Sequence, residues 1–245
     1  MKFNKNYWLK KKSTERYFYE QLTKPKESTK ETFKIFKKLK IHNLSTIDLA
    51  CGNGANLIQL KKKLNNDKYC LGIDINKDLL KSGKIYNNFN NLELKFGNIF
   101  NLDNKLKNKF ELVTSFQTLS FLEDYSNASL QMIKLNSRYI NVSSLFWEGL
   151  IDFMIKLNFL KDDSFNRKLS SSFYNNIYSL NNFLNFYRKN GYEPICTKKF
   201  NIKKTLKKSF RDFSMGTYTL DNKNKKIQVS GPIIMNWYFI VFQKR

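Results

Sequence analysis

The chain has 245 residues, of which 41% are hydrophobic, so it is long enough for one sizeable domain with a substantial core. Its three cysteines and single histidine exclude a disulfide framework and a zinc site built from cysteine and histidine, and no metal site is predicted. The longest apolar stretch, "GPIIMNWYFIVF", is too short to cross a bilayer as a helix, and residues 1–12 lack the apolar region of a secretory signal. The sequence therefore predicts a cytoplasmic protein.

The net charge of +24 is the strongest signal in the composition. Such an excess of lysine and arginine favours a polyanionic partner such as RNA, DNA or an anionic membrane surface. A second interpretation is compositional bias, because the chain is also rich in Asn, Ile, Phe, Tyr and Lys and poor in Gly and Pro. The lysine runs lie far apart along the chain, as expected for solvated faces, so both interpretations remain open.

From Leu44 onward the predicted strands and helices alternate, which is typical of a parallel sheet covered by helices on both faces. A helix with a stripe of leucines, "ANLIQLKKKLNN", follows the first strand, and a later helix begins at Ser179 and ends at Gly191. The predicted strands, in chain order, are "STIDLAC", "YCLGIDI", "NLELKFGNIF", "FELVTSF", "RYINVSSL", "EPICTKKFNI" and "MNWYFIVFQKR".

The loop "CGNG" follows the first strand, and ligands of parallel sheets bind outside the carboxyl ends of strands. Gly52 and Gly54 leave the backbone accessible, and Asp74 ends the second strand, where its carboxylate can accept both hydroxyls of a ribose. These residues indicate a nucleoside cofactor. Leu57 stands where a dinucleotide site has its third glycine, and no lysine completes a phosphate loop. Asp48 adds negative charge, which favours a cationic ligand.

The motifs "IDLACGNG" and "LGIDINKDLL" resemble those of the class I S-adenosylmethionine-dependent methyltransferases. The resemblance implies S-adenosylmethionine as cofactor. It also implies an α/β fold: a Rossmann-like, doubly wound, seven-stranded, mostly parallel sheet with an antiparallel last strand, plus an N-terminal and an inserted helical cap. By the same resemblance, Gly52 contacts the methionine part through its backbone, Asp48 positions the amino group, and Asp74 holds the ribose. Ile75 packs on the adenine, and Asn98 accepts a hydrogen bond from the adenine amino group in place of the family's usual acid. The full predicted set is Asp48, Ala50, Gly52, Gly54, Asp74, Ile75, Asn98, Ile99 and Phe116.

Two segments fall outside the alternation of strands and helices. Residues 1–40 precede the first strand, and residues 146–178 are too long for an ordinary connection. We interpret both as caps over the substrate in a single methyltransferase domain, 1–245. Within it, residues 44–145 form the cofactor-binding half and residues 179–245 the C-terminal half of the sheet.

The loop after the fourth strand bears on the acceptor of the methyl group. The fourth strand is followed by "SFQTLSF", without the prolines of enzymes that methylate exocyclic base amines, and no cysteine lies there. A hydroxyl acceptor needs a general base. Glu123 and Asp124 are the candidate catalytic residues, although acids at this position are equally typical of a helix start. His42 precedes the first strand and is predicted at the opposite edge. The predicted substrate-binding residues are Tyr7, Trp8, Arg16, Tyr17, Trp147 and Glu148.

The C-terminal stretches "MGTYTL" and "VSGPIIMNWYFIVFQKR" resemble methyltransferases that modify bacterial sugars and surface polysaccharides. This resemblance implies O-methylation of a small, anionic metabolite, such as a sugar nucleotide or a capsule or lipopolysaccharide precursor. An RNA methyltransferase is the main alternative. A cofactor-binding but inactive partner subunit is the second, suggested by Asn98 and the loose match after the fourth strand.

Overall fold

The sheet at the centre of the molecule follows the strand alternation of the sequence. The structure, a computed structural model, describes residues 19–161, 168–208, 216–223 and 225–245. Its strands are β1 (Thr46–Leu49), β2 (Cys70–Asp74), β3 (Leu92–Phe96), β4 (Leu112–Phe116), β5 (Tyr139–Trp147), β6 (Lys156–Lys161), β7 (Lys168–Tyr174), β8 (Tyr178–Ser179), β9 (Tyr192–Lys199), β10 (Thr217–Asn222), β11 (Lys225–Ser230), β12 (Ile233–Ile234) and β13 (Trp237–Lys244).

The main sheet has the strand order β3-β2-β1-β4-β5-β13-β9, with the short strand β8 paired beside the end of β5. Strands β3, β2, β1, β4 and β5 are parallel, whereas β13 runs antiparallel between β5 and β9. The order reverses beside β1, which places the loop after β1 at the switch point where ligands of such sheets bind. The predicted fold class, a Rossmann-like sheet with an antiparallel last strand, is confirmed.

Helices cover both faces of this sheet. The helices are α1 (Glu27–Lys38), α2 (Ala55–Leu64), α3 (Lys77–Tyr86), α4 (Ser126–Lys134) and α5 (Leu180–Lys189), with 3-10 turns at Asn104–Leu106 and Leu119–Phe121. Phe33 and Phe36 of α1 pack with the leucine stripe of α2 on one face. On the other face α4 and α5 bury Met132 and Phe183. As predicted, α5 is capped by the Ser179 hydroxyl and ends before Gly191, whose φ is +83°.

The insert between β5 and α5 differs from the helical cap that we predicted. Within the described residues it forms the antiparallel hairpin β6–β7, and its ends are joined by a bridge between Phe153 and Ile177. Leu157 and Phe159 alternate with polar residues, and this period of two suits a strand better than a helix. The helical prediction was wrong because strand pairing across the insert outweighs the local preference of its apolar first half.

A second, small sheet has the order β10-β11-β12 and was not predicted as a separate element. Its Ile233, together with Met235 and Trp237, packs on Leu145 near the carboxyl end of β5. Residues of the insert, including Ile155, contact the same cluster. The hairpin β6–β7 and strand β12 thus form a packed cover over the end of β5, which we call the cover. None of the described helices is long and apolar enough to cross a membrane.

Candidate active site

The glycine loop joins β1 to α2 in a left-handed backbone. Ala50, Gly52 and Gly54 have φ angles of 59°, 60° and 73°, and the Gly54 amide donates to the carbonyl of Cys51 over 2.9 Å. A Cβ built on Gly52 would meet only Leu79, at 3.9 Å, so the space above this residue is open. Glycine suits both the backbone conformation and the close approach of a ligand here.

Asp74 is the last residue of β2, and its carboxylate faces the glycine loop. One carboxylate oxygen accepts the Gly52 amide over 2.7 Å, and the other accepts the Asn76 amide, also over 2.7 Å. Burial raises the pKa of Asp74, and these amide bonds oppose the shift. Each oxygen keeps a further lone pair, so the side chain is held in place and can still accept ribose hydroxyls.

Asp48 is buried in β1, with 1% of its surface exposed. The Thr114 hydroxyl of the neighbouring β4 donates to one carboxylate oxygen over 2.7 Å. The other oxygen is buried and has no hydrogen-bond partner within the described part of the chain. Burial raises the pKa of Asp48 to about 8, Thr114 opposes the shift, and the charge of Asp74 adds to it. An unpaired buried carboxylate oxygen suits a cationic ligand, as the sequence predicted for this site.

The other predicted cofactor residues divide into exposed and buried groups. Ile75 follows Asp74 and is 41% exposed, as expected for a side chain that packs on a base. Asn98 is exposed, and its side-chain oxygen accepts the Phe100 amide over 3.0 Å. Phe116 is half-buried at the end of β4, whereas the Ile99 side chain is buried in the core, which leaves only its backbone for a ligand. Their contacts with the cofactor stay predictions.

Helix α1 lies against the same edge of the sheet. The Thr29 hydroxyl donates to the Asn56 side chain in the first turn of α2 over 2.9 Å, and the Lys26 ammonium lies 3.4 Å from the Gln117 side-chain oxygen just after β4. Lys26 and α1 therefore reach the carboxyl ends of β1 and β4. These contacts were not predicted from the sequence, and neither was the bond from Thr114 to Asp48. The register between β1 and β4, which places Thr114 beside Asp48, would have revealed that bond. Tyr7, Trp8, Arg16 and Tyr17 lie outside the described residues.

The acids predicted to be catalytic lie between the Leu119–Phe121 turn and α4. Both oxygens of Asp124 accept from Ser126, one from its amide over 3.0 Å and one from its hydroxyl over 3.2 Å. The arrangement matches the helix-start alternative. Glu123 is exposed and hydrogen-bonds to Tyr174 of the cover. A catalytic role for either acid stays a prediction. His42 is exposed and precedes β1, at the edge opposite the glycine loop.

Trp147 and Glu148 stand at the end of β5. The Trp147 ring meets Phe153 edge-on with centroids 5.2 Å apart, and its indole N–H donates to the carbonyl of Ile151. Glu148 accepts the Tyr238 hydroxyl, and its carboxylate lies 3.6 Å from the Lys199 ammonium. The hydrogen bond from the Tyr238 hydroxyl, helped by the charge of Lys199, lowers the pKa of Glu148. Among the described residues, no group of three or more His, Cys, Asp or Glu side chains could hold a metal ion.

Comparisons with known proteins agree with this geometry. A family model described as a methyltransferase domain matches residues 41–212. No curated protein matches the chain. A structure of an S-adenosylmethionine-dependent methyltransferase from Clostridium acetobutylicum is 14% identical, with TM-score 0.56, and the match covers 94% of this chain and 97% of that one.

Two further solved structures share the fold. Magnesium protoporphyrin IX methyltransferase from Synechocystis, solved with bound SAH, is 11% identical, with TM-score 0.53 and coverage of 94% of this chain and 85% of that one. A candidate RNA methyltransferase from Pyrococcus horikoshii is 10% identical, with TM-score 0.50 and coverage of 89% and 84%. At these identities the likeness establishes the fold, while the family model covers well over half of the chain. The chain belongs to the class I S-adenosylmethionine-dependent methyltransferases.

Proposed function

We propose that this methyltransferase transfers a methyl group to a hydroxyl of a small anionic metabolite, such as a nucleotide-activated sugar or a phosphorylated precursor of a capsule or lipopolysaccharide, and that it does so in the cytoplasm. S-adenosylmethionine supplies the methyl group on a sulfonium. The residues of the chain then hold the acceptor in line with that methyl group and exclude water.

The cover is the observation that carries the proposal. Asn176, fully buried, donates from its side chain to the carbonyls of Leu122 and Glu123, and its backbone amide donates to Ser120. The loop after β4 and the insert are therefore joined beside the apolar cluster on Leu145. A packed cover at the carboxyl edge favours a small acceptor, because a polymer needs an open groove that tracks its backbone.

Charged groups at the carboxyl edge of the main sheet support an anionic acceptor with a hydroxyl. Lys199, whose ammonium lies 3.6 Å from the Glu148 carboxylate, can exchange this partner for a phosphate, and Lys26 lies beside Gln117 after β4. The hydroxyl needs a proton acceptor. Of the predicted acids, we assign this role to Glu123, because it is exposed and bonds to Tyr174 of the cover, whereas both carboxylate oxygens of Asp124 are engaged in the start of α4.

The test is an acceptor screen with the full chain and radiolabelled S-adenosylmethionine. Sugar nucleotides, small-molecule fractions of cell extract and extracted RNA are compared under one set of conditions. We expect label in the small-molecule pools and none in RNA. The Asp74→Ala variant, which lacks the predicted ribose acceptor, is the control and should lose the transfer. Robust transfer to RNA with none to sugar nucleotides would refute the proposal.

An RNA methyltransferase remains the alternative, and the positions of the lysines bear on it. A continuous basic face around the cofactor mouth would favour RNA. The described lysines around β9 and the small sheet instead lie across the main sheet from β2 and β3, where the adenosine side of the predicted site lies. The inactive-partner alternative predicts calorimetric cofactor binding without transfer to any pool.

A further inference from the structure

Residues 198–208 and 216–226 carry a concentration of positive charge, and the proposed reaction uses only Lys199 of it. They contain one acid, Asp221, and no arginine. Asp221 is already paired with Lys226. Most of these lysines are exposed. We call the other lysines of these ranges the lysine surface, and its members are Lys198, Lys203, Lys204, Lys207, Lys208, Lys223, Lys225 and Lys226.

Contacts between elements bring these lysines onto one region of the molecule. The Glu27 carboxylate of α1 accepts the backbone amides of Lys203 and Lys204 over 2.8 and 3.3 Å. Further along, the Leu206 amide donates to the Thr219 hydroxyl of β10 over 3.0 Å. The segment after β9 therefore runs from α1 to the small sheet, so its lysines lie next to those of both elements.

The small sheet adds an apolar face to this region. The pairs Tyr218 with Val229, Leu220 with Ile227, and Val229 with Ile234 put five apolar side chains on one face. Leu220 is 50% exposed and Ile234 is 56% exposed. The Lys208 ammonium lies 5.3 Å from the centre of the Tyr218 ring, so a lysine borders this face.

We propose that the lysine surface and the exposed residues Leu220 and Ile234 dock this protein onto an anionic lipid surface. Aliphatic side chains rimmed by lysines match the boundary between headgroups and acyl chains, and the lysines are attracted to anionic headgroups. RNA fits less well, because recognition of bases uses exposed aromatic rings and arginine planes. Among the described residues of this region, 198–208, 216–223 and 225–226, the exposed apolar side chains are aliphatic and the cations are all lysine.

Vesicle co-sedimentation with the full chain tests the inference. One set of vesicles contains about 30% phosphatidylglycerol in phosphatidylcholine, and the other is phosphatidylcholine alone. We expect binding to the first set only, weakened by salt. A variant with Lys203, Lys204, Lys207 and Lys208 changed to Gln should bind at least tenfold more weakly, because each lysine near such a surface contributes about fivefold in affinity.

A second variant separates insertion from charge. Leu220→Ser with Ile234→Ser should weaken binding about tenfold, and this loss should persist at high salt, because burial of apolar surface is not screened. The matched control is Leu150→Ser with Ile151→Ser. These residues are 73% and 61% exposed but lie between Glu148 and Asp152, so vesicle binding should stay unchanged.

Several results would overturn the inference. They are equal binding to both vesicle types, no binding to either, or unchanged binding by both the four-lysine variant and the Leu220→Ser, Ile234→Ser variant. Binding of the lysine surface to single-stranded RNA without vesicle binding would identify it as a nucleic-acid site instead. Circular dichroism shows whether each variant is folded. The assay measures no methyl transfer, so its failure leaves the proposed acceptor standing, and failure of the acceptor screen leaves the docking surface standing.

Discussion

Asp48 combines a buried carboxylate, an unpaired oxygen and a raised pKa at a site for a cationic ligand. Its pKa rises from an ordinary 3.8 to about 8. Between these pH values the folded chain therefore keeps a proton on Asp48 that the unfolded chain has lost. Stability must therefore fall as pH rises between these two values, and we predict that the cofactor's positive charge favours the ionised form of Asp48.

We expect the free energy of unfolding without cofactor to fall as the pH is raised through the range from 3.8 to about 8. The Asp48→Asn variant should lose most of this dependence, because its side chain does not ionise. S-adenosylmethionine affinity should rise with pH in the parent and fall about tenfold in the variant. Urea titrations and calorimetry at several pH values measure both.

The matched control for Asp48→Asn is Asp78→Asn, which changes an exposed acid in the first turn of α3. It should keep the parent's dependence on pH. If the free energy of unfolding of Asp48→Asn falls with pH as steeply as that of the parent, the titration belongs to another group, and Asp74 is the nearest candidate.

At the scale of elements, the strands and helices with strong local signals were predictable. The first strand, the glycine loop and α2 follow from an apolar run and two glycines, and α5 follows from Ser179 and Gly191. The alternation of Tyr218 with Leu220 and of Ile227 with Val229 could have identified the small sheet. The structure of the insert between β5 and α5 depends instead on contacts between residues distant in sequence, such as the Asn176 bonds to the loop after β4. Local pattern carries no signal for these contacts.

Asn176→Ala should release the insert from the loop after β4. The change removes side-chain bonds to three acceptors, two of them buried, and leaves the Ile155 amide without its partner, so we expect a loss of about 2–4 kcal/mol in stability. Limited proteolysis should then cut the insert faster than it does in the parent chain.

Asn158→Ala, an exposed change on the same insert, is the control for that experiment and should cost at most about 0.5 kcal/mol. Equal protease sensitivity of the two variants would show that Asn176 does not clamp the insert.

At the scale of the whole molecule, 44 lysines and arginines face only 20 acids, so charge repulsion opposes the folded state. The ion pairs formed include Lys198 with Glu31 and Arg188 with Glu193, and their side chains are partly exposed. Such pairs contribute little each, and they cannot offset an excess of this size. Repulsion should be strongest where the lysine surface meets α1.

We expect the melting temperature to rise when NaCl is increased from about 10 mM to about 100 mM, because the screening length shortens from about 30 Å to about 10 Å. Differential scanning fluorimetry without cofactor measures this. The variant with Lys203, Lys204, Lys207 and Lys208 changed to Gln should have a higher melting temperature at low salt, and that temperature should rise less as NaCl is added. A melting temperature that falls with salt would show that exposed ion pairs outweigh the repulsion.

Strand β13 has a consequence for the order in which the chain can fold. It lies between β5 and β9, so β9 has no neighbour in the main sheet until the later segment enters. During refolding both β5 and β9 therefore present open edges that must wait for a contact far along the chain. Open edges of this kind pair readily between molecules. Refolding should accordingly be slow, and its yield should fall as the protein concentration rises.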